Sequence, residues 1–131
     1  MGLYELVEYL VRLKLVGHEK VLCALALKSQ GAPWSEIYEK CDVDKNVVRA
    51  YLTRSMEKVG NMNKALIIIK YVVPLLSDIK PIVIDNKCTI CNTNLYHTQV
   101  ALAHLRYRHR DIVEKYVDEV IERLARRVSV S

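Results

Sequence analysis

The feature that most constrains this chain is a ligand spacing: Cys88-x2-Cys91, then twelve residues, then His104-x4-His109. Two thiolates and two imidazoles fill the tetrahedral shell of Zn²⁺ and leave no position open for a substrate, so the spacing predicts a structural zinc site. Those four residues are the expected metal ligands and Zn²⁺ the expected cofactor. His97 lies about two turns before His104 and is a poor substitute ligand.

With 131 residues, 51% of them hydrophobic, the chain has material for a buried core in one domain or two small ones. No run of about 18 uncharged apolar residues is present, and Glu5, Glu8, Arg12 and Lys14 interrupt the first apolar stretch. This argues against a signal peptide or membrane partner and for a cytoplasmic protein, in the host cytoplasm if the source is viral. Only two of the four cysteines have metal spacing. Cys23 and Cys41 sit inside apolar helical patterns, so a reducing compartment fits better than a pair of disulfides. A net charge of +5 favours a polyanionic partner. The lack of Phe, the presence of only two Gln and the wealth of charge match a thermophile pattern, and hint at an archaeal or archaeal-virus source.

Leu6, Val7, Leu10, Val11 and Leu13 recur at helical spacing before Val16-Gly17, which predicts a first helix from Leu3. Val21, Leu22, Leu25 and Ala26 mark a second, from His18 to Lys28, stopped at Gly31. A third runs from Pro33 to Lys40, with Ser35 or Ala32 near its cap. A fourth, capped by Asp44, runs through Lys45, Val48, Tyr51, Leu52 and Met56 to Gly60.

The segment from Trp34 to Val59 is similar to the helix-turn-helix of prokaryotic transcription regulators. Ile37, Cys41, Val43, Val48 and Tyr51 fall on the apolar positions of that unit. It departs from the pattern twice, with Tyr38 where a small residue is usual and Asp42 in place of the turn glycine. Asp tolerates the left-handed conformation better than most residues, so the turn survives. The resemblance implies that the second helix presents Lys45, Asn46, Arg49, Ala50, Thr53 and Arg54 to double-stranded DNA. The bland alternative is an ordinary solvated helix face.

The β-branched run from Ala65 to Pro74 reads as a strand, with Pro81 to Ile84 as its antiparallel partner across a turn near Ser77-Asp78. The pair would make the ribbon of a winged helix. A helix over 63–76 is the rival assignment, because a continuous apolar run does not set its own period.

Asp85 to His109 resembles a Cys2His2 zinc finger, which implies cysteines on a hairpin, histidines on one helix, and metal in place of a hydrophobic core. The usual core positions here hold Asn86, Leu95 and Ala101, a thin set, so the finger is expected to lean on another part of the protein. Its base-reading positions correspond to His97, Gln99, Val100 and Ala103, of which Val100 and Ala103 cannot hydrogen-bond to a base. Arg106, Arg108 and Arg110 are the candidate phosphate contacts there.

Asp111-x-x-Glu114 looks like a capping box, which places a break in the helix near Arg110 and lets two histidines five positions apart reach one metal. Ile112, Val113, Tyr116, Val117, Val120, Ile121 and Leu124 form an apolar stripe beyond it. That stripe packs either on the first helix or, as favoured here, against its copy in a homodimer.

The combined expectation is a mainly α protein with a small β-ribbon: a winged-helix-like domain over 1–80, a ββα zinc finger over 81–110 and a C-terminal amphipathic helix and tail over 111–131. Its expected function is DNA-binding transcription regulation, the alternative being a zinc-finger interaction or assembly adaptor. No nucleophile-base pair or phosphate-cradling glycine loop is evident, so neither an enzyme nor a small-molecule substrate is expected.

Overall fold

The computed structural model describes residues 2–130; Met1 and the tail residue Ser131 lie outside it. Seven α-helices and a two-stranded antiparallel sheet make up the regular structure among the described residues. The first helix, α1 (Leu3–Leu15), is the hub. Leu6, Val7, Leu10, Val11, Leu13 and Leu15 are fully buried on it, and α2 (Glu19–Ser29), α4 (Lys45–Val59), α5 (Met62–Val72), α6 (Thr98–Arg108) and α7 (Arg110–Val130) all pack against it. Gly2 allows the close approach at its start: a Cβ there would meet the carbonyl oxygen of Lys58 at 2.3 Å.

The segment from Trp34 to Val59 forms two helices, α3 (Trp34–Cys41) and α4. Asp42 takes the left-handed turn at φ 53°, and the Asp44 carboxylate caps α4 by accepting from the Asn46 amide. Ile37, Cys41, Val48 and Tyr51 are buried, whereas Tyr38 stays 64% exposed and so causes no clash in the core. No side chain caps α3; its N-cap is Pro33.

The expected strand over 65–74 is a helix. The Asn61 side chain caps α5 by accepting from the Lys64 amide, and the buried residues Ala65, Ile68, Ile69 and Val72 follow a helical period. A 3-10 turn, Val73–Leu76, continues it, so the expected wing ribbon is absent among the described residues. Instead β1 (Val83–Ile84) pairs with β2 (Lys87–Cys88). Asp85 and Asn86 have φ of 52° and 61°, the pattern of a two-residue type I′ hairpin turn.

Cys23 and Cys41, expected as unpaired thiols in helical patterns, form a disulfide, because α2 and α3 pack with their Cα atoms 5.7 Å apart. The stripe of α7 packs back on its own chain. Val113, Val117 and Val120 are buried in the core shared with α1, and Tyr116, Ile121 and Leu124 lie against it. The ion pair Arg123–Asp78, at 2.9 Å, ties α7 to the loop after the 3-10 turn. α7 begins at Arg110, one residue ahead of the expected cap, and Glu114 pairs with Arg110 at 2.8 Å. No single helix among the described residues is long and apolar enough to cross a membrane.

Candidate metal centre

Four side chains from β2, the turn after it, α6 and the α6–α7 junction converge. Cys88 ends β2, Cys91 follows in the turn, His104 lies on α6 and His109 stands at the α6–α7 junction. Their donor atoms all lie within 4.8 Å of one another. Cys88 Sγ is 3.4 Å from His109 Nε2, and Cys91 Sγ is 3.3 Å from His104 Nε2. Tetrahedral bonds of about 2.0–2.3 Å separate donors by roughly 3.3–3.8 Å, so these residues fit around a metal ion.

The backbone explains how they meet. Asn92 adopts φ 64°, and its amide donates to the Cys88 carbonyl at 2.8 Å, while the Cys88 amide donates to Thr93 O at 2.9 Å. This tight turn brings both sulfurs to one side. On a regular helix, residues five apart point in different directions. Here His109 (φ −126°, ψ 39°) bends the chain between α6 and α7, and the two imidazoles sit 4.9 Å apart. Its amide still donates to Leu105 O and its carbonyl still accepts from the Val113 amide, so the bend keeps those backbone groups paired.

Hydrogen bonds from Thr93, first among the causes, lower the Cys91 thiol to about 5; Thr93 Oγ1 lies 3.1 Å from its sulfur. The thiolate is the form that binds metal. Cys88 and His109 are buried, Cys91 is exposed, and Arg108 stands at the rim. His97 is exposed at the start of α6 and stands apart from the cluster.

The module containing this centre has a small core of its own, Val83, Cys88, Leu95 and Ala101, with Val16 and Ile82 packed against it. Leu102 and Leu105 on the same helix belong to the main core, and the Ile82 amide donates to Leu15 O at 2.7 Å. The thin core noted in the sequence is therefore completed by the helical bundle.

The candidate DNA-contacting residues divide into two groups. Lys45, Asn46, Arg49, Ala50 and Thr53 are exposed along α4, with Lys45 Nζ 5.5 Å from the Trp34 ring centre. Thr53 donates its hydroxyl to the Arg49 carbonyl. Arg54, half-buried over the Tyr51 ring, turns instead into a cleft shared with Arg106. Arg108 and Arg110 are exposed, beside the metal centre and paired with Glu114 respectively. Arg12 and Lys58, not singled out from the sequence, line the same cleft as Arg54 and Arg106. The spacing of four between Arg54 and Lys58 was the available signal.

Comparison with known proteins finds no family model, no curated protein and no solved structure that matches this chain.

Proposed function

We propose that the chain is a DNA-binding transcription regulator in which Zn²⁺, held by Cys88, Cys91, His104 and His109, fixes the C-terminal module to a helical bundle. The carrying observation is the open face of α4, where Lys45, Asn46, Arg49 and Thr53 follow a left-handed turn at Asp42 and contact no other element through a hydrogen bond or ion pair among the described residues. Lys and Arg neutralise phosphates, and Asn and Arg read base edges in the major groove. Four protein ligands would saturate the metal, whose chemistry is then cross-linking. Two copies would read a palindrome. With the α7 stripe occupied, the exposed Leu3, Ile67 and Tyr71 offer the apolar surface for such a dimer.

The second reading is an interaction adaptor, favoured by the exposed Tyr96, Val100 and Tyr107 around the metal module. Selection from random duplexes with the zinc-loaded protein, followed by anisotropy against salt, separates the two. A recovered near-palindrome, a steep salt slope and loss of binding in Lys45→Glu/Arg49→Glu support the regulator. Weak, sequence-blind binding unaffected by that reversal would sink it in favour of the adaptor.

A further inference from the structure

A second cluster lies between α1, α4 and α6. Arg12 from α1, Arg54 and Lys58 from α4, and Arg106 from α6 line one cleft of about 240 Å³, together with Tyr9 and Gln99. Four cations drawn from three helices face few opposing charges. Glu8 Oε1 lies 3.1 Å from Arg12 Nε and 3.9 Å from Arg106 Nε, and Glu57 adds a weaker field at Lys58.

The cleft holds its charges at a cost. Burial, and then the neighbouring cations Arg12 and Arg106, push the Lys58 ammonium below its usual range. Burial lowers Arg12 as well, with Glu8 opposing and Arg106 adding to the shift. Lys58 Nζ sits 4.6 Å from the centre of the Tyr9 ring, and Tyr9 itself is only 4% exposed. The Tyr9 hydroxyl is buried without a hydrogen bond of normal geometry, and the Arg54 guanidinium stands close enough to act on its oxygen. A buried hydroxyl whose proton has no acceptor, beside converging cations that can only donate, is a donor set lacking its acceptor.

We propose that this cleft is a binding site for one phosphoryl group, held by Arg54, Lys58 and Arg106 with the Tyr9 hydroxyl as a neutral donor. A multiply charged oxyanion matches such a set better than a single carboxylate, because guanidinium and ammonium groups from separate helices can each take one of its oxygens. The phosphoryl group belongs either to a nucleic-acid backbone or to a free phosphorylated compound. The site does not depend on the regulator reading.

The test is calorimetric titration of the zinc-loaded full chain with pyrophosphate in a low-salt chloride buffer, repeated for Lys58→Gln and Tyr9→Phe. The expected result is saturable binding at one site, weakened at least tenfold in Lys58→Gln and about threefold in Tyr9→Phe, in line with the loss of a charged and of a neutral hydrogen-bond partner. The ligand-free melting temperature of Tyr9→Phe should change little, because the hydroxyl proton has no acceptor in the protein and only the loose approach of Arg54 is lost. If pyrophosphate displaces a bound duplex, the site takes a backbone phosphate; if it binds alongside the duplex, or where no duplex binds, the site takes a free phosphorylated compound. Absence of saturable pyrophosphate binding, or binding indifferent to both variants, overturns the site while leaving duplex recognition by α4 to its own test.

Discussion

Arg12 Nη1 donates to the Leu102 carbonyl 3.3 Å away, joining the central helix α1 to α6, which carries His104 of the Cys/His cluster, across ninety positions of sequence. The same guanidinium faces Glu8 on its own helix at 3.1 Å. Leu102 and Leu105 bury their side chains in the core that α1 organises. The candidate metal centre and the helical bundle therefore share a helix, so metal binding there is expected to stabilise both.

Metal removal should accordingly destabilise the whole chain. Ligand binding to the native state alone adds RT ln(1 + [L]/Kd), about 4 kcal/mol at a free metal concentration a thousand times Kd. Calorimetry of loaded and chelated protein should show one cooperative transition that moves down on chelation, with one zinc released per chain. Cys88→Ser and His109→Ala should melt like the chelated form. Two well-separated transitions in the loaded protein would contradict this coupling.

Replacing Arg12 by Met keeps much of the buried stem but removes the bond to Leu102 and the partner of Glu8. The loss should be about 1–3 kcal/mol, the range for leaving buried polar groups unpaired. Urea unfolding measures it. A variant as stable as the parent would show that this cross-helix contact contributes nothing net.

The convergence of Cys88, Cys91, His104 and His109 was legible because coordination chemistry demands particular donors at particular spacings, independent of surrounding packing. Asp42 and Asp44 were legible for a similar local reason, one in a left-handed turn and the other as a cap. The run from Ala65 to Val73 misled because β-branched residues dominate it. Its solvated positions Ile67 and then Lys70 and Tyr71 follow the exposed Lys64 at steps of three or four, and Asn61 stands at the cap, yet the apolar Ile67 hides that rhythm. The Cys23–Cys41 bond depends on how α2 and α3 lie against each other, a tertiary fact with no local signature. The cleft beside Tyr9 was hidden for the same reason, since its cations come from three helices.

The disulfide closes a loop with a sequence separation of 18. Cross-linking a loop of this size restricts the unfolded chain and should stabilise the fold by about 3 kcal/mol in the chain-entropy treatment. Cys23→Ala/Cys41→Ala should show that loss in urea unfolding, with zinc content unchanged because both cysteines lie outside the metal cluster. A drop in zinc stoichiometry would mean that the bridge supports the metal centre through the bundle.

His18 gives the fold a pH dependence of definite sign. Its Nε2 lies 2.8 Å from Thr98 Oγ1, linking the start of α2 to the first turn of α6, and burial pushes its pKa below the usual 6.5. No charged neighbour contributes to that shift. The folded state thus prefers neutral imidazole, while the unfolded chain takes up a proton near 6.5. The stabilising contribution is full above 6.5, declines as pH falls through that value, and levels off below the lower folded pKa. Metal ligands also protonate on acidification, so the quantity to measure is the difference in unfolding free energy between the parent and His18→Gln at pH 7.5 and 5.5 in the same zinc buffer. The advantage of the parent should shrink at the lower pH; an advantage that stays constant would assign His18 a packing role independent of its charge.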